Sequence, residues 1–304
     1  MVDSQIGEPA GIKPKRLLVR VVTAAAYAAV VLLAIAFPRI PGLKTRDPLV
    51  LGLLMSVFAG FASAEFYAMS RRESRLPNET FGIAAAILMP LAAATWGLSG
   101  LSATVTALIG ASLIWHVVFV RVRTTDTATT VFGAVYTGFL LAYLVLIVRN
   151  FQHGQVLALA VVLGVWANDS FAYLVGSTFG RHKMMPRISP KKSWEGFIAG
   201  ALGTLAVWVS VALLSGHTFA LGGFTIAIPD VGVSLGLAVV VGVLVGGTVV
   251  IGDLFESRMK REAGVKDSGT ALPGHGGFLD RLDSLILVGL IAYWILWWGG
   301  VPHL

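Results

Sequence analysis

Long apolar blocks separated by short polar loops recur from residue 17 to residue 299, and they constrain this chain more than any other feature. Each block is close to the roughly 20 residues that a helix needs to cross the hydrocarbon of a bilayer. With 56% of its 304 residues hydrophobic and 13% charged, the chain is too poor in charge for a soluble protein of this length. Membrane β-barrels are excluded, because their strands alternate and are about half as long as these blocks. The expected fold class is therefore all-α, a polytopic membrane protein with about nine transmembrane helices. The spans are placed at 17–37, 48–70, 80–98, 101–121, 127–149, 155–177, 195–216, 231–253 and 281–299, with a tight turn near Gly97–Gly100 between the third and fourth.

Lys and Arg divide unequally between the two sets of loops. Lys13, Lys15, Arg16, Arg71, Arg72, Arg75, Arg121, Arg123 and the basic residues of 178–194 and 257–281 fall on one side. Only Arg39, Lys44, Arg46 and Arg149 fall on the other. Positive charge stays cytoplasmic, so the first set, with the amino terminus, faces the cytoplasm and the carboxyl terminus lies outside. The expected location is the plasma membrane. Ala34-Ile35-Ala36 resembles a signal-cleavage box, but the apolar run before it is longer than a signal core, so it is read as an uncleaved first span. The expected organisation is a cytoplasmic tail at 1–16, N-terminal transmembrane helices at 17–150 and a C-terminal catalytic region at 151–304. The net charge of +7 sits in short loops, which favours lipid headgroups or a phosphorylated substrate over nucleic acid. The absence of cysteine removes disulfides, thiolate metal sites and cysteine nucleophiles.

The segment 257–284 is far more polar than its surroundings. Asp253 ends the eighth block, and Asp280 and Asp283 open the ninth, three residues apart on one helical face. Adjacent antiparallel helices would bring the three carboxylates together, where they repel unless a cation lies between them. Mg²⁺ suits such a site, since it takes a few carboxylates and fills its other positions with water and substrate phosphate. The simpler reading is that Asp280 and Asp283 are ordinary acids at a helix start. Ser257, Lys260, Arg261, Lys266 and Arg281 add donors and positive charge beside the acids. "PGHGG" at 273–277 is a turn whose N–H groups could face an anion, and its His275 is a catalytic candidate, although a lone His is more often structural.

In the sixth block Asp169 sits beside Asn168 within an apolar run. A central Asp costs about 2.5–3.5 kcal/mol on insertion scales, so it is expected to face the bundle interior and to serve function. Asp169, Tyr173, Gly176 and Gly180 share one face, and close packing accounts for the glycines. In "SPKKSWEG", Ser189 is a candidate substrate contact, Pro190 is expected to set a turn, and Lys191 and Lys192 to project charge toward phosphate. Ser193 is expected to cap the helix that Glu195 opens. Glu65 is expected to pair with a nearby Arg.

The run Ser257-x-Met259-Lys260-Arg261, Lys266-Asp267 and "LPGHGGFLDRLD" resembles the signature of the phosphatidate cytidylyltransferase (CDP-diacylglycerol synthase) family. "SPKKSWEG", "GDLFES" and "NDSFAYLVGSTFG" resemble further stretches of it, so the likeness covers about 165–284. The resemblance implies a multi-span enzyme that joins CTP to phosphatidic acid in the bilayer, releasing pyrophosphate and forming CDP-diacylglycerol. It implies Asp253, Asp280 and Asp283 as ligands of Mg²⁺, with room for a second cation. It also implies Lys260, Arg261, Lys266, Lys191 and Lys192 around the phosphates. The rival readings are a CTP-dependent lipid-alcohol kinase, which would release CDP, and a cation-coupled transporter. A homodimer is compatible with the chain, although no stretch demonstrates one.

Overall fold

The computed structural model describes residues 14–40, 47–221, 224–271 and 276–304. The chain is helical nearly throughout. Helices α1 (Pro14–Ala36), α2 (Leu49–Arg72) and α3 (Glu79–Val118) come first. α4 (Thr124–Ala134) runs through a π-turn (Val135–Phe139) into α5 (Leu140–Asn150), and α6 (Gly154–Phe179) follows. The C-terminal part holds α7 (Trp194–Leu214), α8 (Leu235–Glu262) and α9 (Leu279–Trp298). Among the described residues, six helices are long and apolar enough to cross a membrane: α2, α3, the α4–α5 rod, α6, α7 and α8. The chain is thus a multi-pass helical membrane protein.

A straight helix of 40 residues would be about 60 Å long, twice the hydrocarbon thickness. α3 avoids this by breaking at Gly97, where φ is 65° and ψ is −144°. A Cβ on Gly100 would stand 2.7 Å from the Ala92 carbonyl oxygen, so the chain doubles back there, at the turn expected from the sequence. The Arg149 guanidinium donates to the Ala94 carbonyl just before the break and pairs with Asp47.

The all-α expectation needs one correction. Two antiparallel ribbons interrupt the helices: β1 (Lys183–Met185) with β2 (Ser189–Ser193), and β3 (Thr218–Leu221) with β4 (Phe224–Ala227). Pro190 does not set a turn. It lies inside β2, and the turn falls at 186–188. Lys183 pairs with Ser193 and Met185 with Ser189. The ribbon hands directly over to α7, whose N-cap is Ser193, accepting from Gly196 N at 3.2 Å as expected.

α6, α7 and α8 pack closely through small residues, as membrane helices do where lipid supplies no hydrophobic drive. Asn168 is buried among them and donates to Thr204 Oγ1 and to the Gly246 carbonyl, both at 3.1 Å. Thr204 in turn donates to the Gly164 carbonyl at 3.0 Å. Asn168, which with Asp169 is a candidate for lining the path of a lipid phosphate, ties three helices together. Gly176 and Gly180 lie against Ser193 and Gly196, which is the packing role expected for them. Tyr173 of the same face is exposed.

Candidate active site

The polar end of α8 carries Asp253, Glu256, Ser257 and Lys260 at i, i+3, i+4 and i+7, which places all four on one face. α9 faces it with Asp280 and Asp283. The two backbones nearly touch at Gly252, where a Cβ would lie 2.5 Å from the Asp283 carbonyl oxygen. Only glycine admits that approach, and the approach assembles the site. Carboxylate oxygens of Asp253, Glu256 and Asp283 lie within 4.8 Å of one another. At that separation each pair of charges repels by roughly 3 kcal/mol at an effective dielectric constant of 20.

The cluster is partly balanced. Lys192 reaches Asp253 Oδ2 at 2.6 Å, and Ser257 Oγ donates to Asp253 Oδ1 at 3.2 Å. Lys260 bridges Glu256 at 2.5 Å and Asp280 at 2.6 Å. The Glu256 side chain is fully buried, and beyond that ion pair neither of its oxygens has a hydrogen-bond partner. Asp283 accepts only from the adjacent Ser284 N, at 2.6 Å. These are hard oxygen donors with coordination capacity left over, which fits a divalent ion such as Mg²⁺.

Three of the expected assignments look different in the structure. Asp280 is not one of the three acids whose oxygens lie within 4.8 Å of one another, although it shares Lys260 with Glu256. Its Oδ1 accepts from Lys260, and its Oδ2 from Ser268 N at 2.9 Å and Gly277 N at 2.8 Å, with Ser268 Oγ at 3.0 Å. Glu65 pairs with no Arg among the described residues. It accepts from Phe278 N at 3.0 Å and Leu279 N at 2.9 Å, at the start of α9, and from Ser268 Oγ at 2.8 Å. The amides at 277–279 therefore face two of the protein's own carboxylates. A side chain on Gly277 would overlap the Glu65 carboxylate and the Ser268 hydroxyl, which is why this end of the loop is built from glycine. His275 lies outside the described residues.

Among the cations, alternation along β2 separates the two lysines. Successive strand residues point to opposite faces, so Lys192 meets Asp253 while Lys191 is exposed. Ser189 is half-buried beside Met185. Arg261 is exposed and donates to the Val265 carbonyl at 3.0 Å, closing the end of α8. Lys266 is exposed. Glu195 accepts from His182 Nδ1 at 2.6 Å and so fastens the ribbon to α7.

A cavity of about 290 Å³ opens between α1, α6 and α9. Asp169, Asp280, Arg281 and Asp283 line its polar part, and Tyr27, Val31, Val162 and Trp166 its apolar part. Asp169 borders this cavity and is exposed. Sequence reading missed Glu256 and the loop-holding role of Glu65. Glu256 was legible, three residues beyond Asp253 on the same helical face. Glu65 was not, because its partner Ser268 is 203 residues away.

The division of labour between the two lysines is testable. Lys192→Gln should lower turnover about 10²-fold, because it leaves the Asp253 charge unpaired at the site, whereas Lys191→Gln should stay within about threefold of wild type. Steady-state rates of both purified variants check this, and equal losses would refute it.

The sequence pattern of the cytidylyltransferase family matches residues 18–298. The chain is 40% identical over 169 residues to a phosphatidate cytidylyltransferase of Thermotoga maritima, covering 52% of this chain and 55% of that protein. It is 40% identical over 173 residues to one of Mycobacterium tuberculosis, covering 56% and 47%. It is 46% identical over 140 residues to the chloroplastic phosphatidate cytidylyltransferase 4 of Arabidopsis thaliana, covering 46% and 32%. The alignments thus span about half the length of these curated relatives or less. With its acid cluster and lysines set on α8, α9 and β2 inside the matched region, the chain belongs to the cytidylyltransferase family.

Proposed function

We propose that this protein transfers the cytidylyl group of CTP to phosphatidic acid, giving CDP-diacylglycerol and pyrophosphate. The observation that carries this reading is the three-acid cluster, whose Asp283 lines the polar part of an amphipathic cavity, in a chain whose relatives bear that enzyme's name. One substrate is an anchored lipid with its phosphate at headgroup level, and the other is a soluble nucleotide. They meet at the membrane surface, where a charged, divalent-binding site is needed.

Asp253, Glu256 and Asp283 are the residues that would hold Mg²⁺, and a second cation would have to share these oxygens. When bound, the ion neutralises phosphate charge and stabilises the departing pyrophosphate. The attacking phosphomonoester has a second pKa near 6 and is largely ionised at neutral pH, so the chain need not supply a strong general base. Its own contribution is placement and charge. Lys192 and Arg281 offset the approaching phosphates. Lys260 holds Glu256 and Asp280 in position. Asp169 and the apolar wall from Tyr27 to Trp166 select a polar head on a greasy tail. The reading includes nine crossings, counting α1, both halves of α3 and α9, with the acid cluster on the cytoplasmic side of the plasma membrane. The N-terminal helices then belong to the site as much as the region 151–304, because Glu65 and Tyr27 come from them.

Purified full chain in detergent, given phosphatidic acid, CTP and Mg²⁺, should form a CDP-lipid and pyrophosphate in equal amounts. Release of CDP with a phosphorylated lipid would assign terminal-phosphate transfer instead. Movement of solute across proteoliposomes without nucleotide turnover would assign transport.

A further inference from the structure

A second concavity, of about 770 Å³, opens between α2, the start of α4 and the end of α8. This is within the size range of small-molecule sites. Its α8 wall is formed by Phe255, Arg258, Met259 and Glu262. At 100° per residue these positions occupy the side of α8 opposite Asp253, Glu256, Ser257 and Lys260. No acid of the cluster lines it, so the groove is separate from the catalytic cavity, and its occupant does not depend on the reaction proposed above.

The lining is split by chemistry. Phe66, Phe132 and Phe255 form an aromatic floor, with Phe132 and Phe255 exposed and their ring centroids 6.1 Å apart. Arg75, Arg123 and Arg258 stand around it, beside Glu73 and Glu262. Arg123 is engaged with Asp126 and the Ser74 carbonyl. Arg75 and Arg258 are held only loosely. They pair with Glu73 at 2.9 Å and Glu262 at 2.8 Å, and their side chains remain 47% and 67% exposed. Exposed pairs of this kind contribute little, so a phosphate can take over their guanidinium groups with two parallel hydrogen bonds. The groove also lies where helices end: α2 stops at Arg72, α4 starts at Thr124 and α8 stops at Glu262. Charged ends of membrane-spanning helices lie at headgroup level.

We propose that this groove binds an anionic phospholipid, with its phosphate between Arg75 and Arg258 and an acyl chain across Phe132 and Phe255. A soluble anion would leave the phenylalanines in water. A zwitterionic lipid would bring a cation of its own beside its phosphate, against the guanidinium groups of Arg75 and Arg258. Only an anionic amphiphile matches both halves of the lining.

The test uses the purified full chain in a neutral detergent, with short-chain phosphatidylglycerol as the probe and melting temperature as the readout. Phosphatidylglycerol should raise the melting temperature in a saturable way. The Arg75→Gln/Arg258→Gln variant should need at least about ten times more lipid for the same rise, while Arg187→Gln, outside the groove, should respond as wild type. Should the double variant fail to fold, Arg258→Gln alone should still show a smaller shift in the same direction. Unchanged lipid dependence in these variants would overturn the proposal. So would an equal response to phosphatidylcholine, which would mean simple acyl filling, or to inorganic phosphate, which would mean a free-anion site.

Discussion

Asp283→Asn should lower the proposed cytidylyl transfer by about 10²–10³-fold or more while leaving the melting temperature of the protein unchanged or raised in the absence of divalent ions. The two effects have one cause. Asp283 lies within 4.8 Å of two further carboxylates and has only the adjacent Ser284 N as a donor, so its charge repels its neighbours and is weakly compensated. Removing that charge relieves repulsion and at the same time removes a donor for the cation. Mg²⁺ should therefore stabilise the wild-type protein by mass action but shift the variant far less. Asp280→Asn should behave in the opposite way toward stability. Its buried carboxylate accepts from Lys260, Ser268 N and Gly277 N, and removing one partner of such a network costs roughly 3–5 kcal/mol. Melting curves of both variants with and without Mg²⁺ separate the two acids. Parallel destabilisation in the two would contradict the division of roles described above.

The second large effect is expected at Glu65. Glu65→Ala removes the acceptor for Phe278 N and Leu279 N and a partner of the Ser268 hydroxyl. Charge-assisted bonds contribute about 1.5–3 kcal/mol each but do not add fully, so a loss of about 3–5 kcal/mol is expected. The start of α9 then frays, and Asp280 and Asp283 lose their fixed positions. Turnover should fall about 10²-fold, although Glu65 touches neither Asp253 nor Glu256. Glu65→Gln should recover only part of the loss, because its amide nitrogen would face an N–H or hydroxyl donor in place of one oxygen. Hydrogen exchange at Ser268, Phe278 and Leu279 is the direct readout. Protection equal to wild type in Glu65→Ala would show that the loop is held by something else.

The two lysines of β2 show why local pattern fell short. As a turn, "SPKK" would have presented both cations together. As a strand it sends them to opposite faces, and only Lys192 meets Asp253. The strand depends on pairing with 183–185, which the residues 189–193 do not themselves encode. Glu256 is the converse case. Its place on the face of Asp253 follows from helical periodicity alone, so the sequence by itself puts it there. The polarity of Asn168 leaves its role open in the sequence, and in the structure its amide bonds between neighbouring helices.

By itself the sequence determined the helical, bilayer-adapted character of this protein, the turn at Gly97, the Ser193 cap and the stretches that build the site. Helical propensity, hydrophobic length and capping are local, and short runs of residues carry them. Which carboxylates of α8 and α9 approach one another, which one anchors the loop and which lysine reaches them were decided only in three dimensions. The contact of α8 with α9 at Gly252 and the reach of Glu65 across 203 residues belong to packing between helices, where a separation along the chain says nothing about a distance in space.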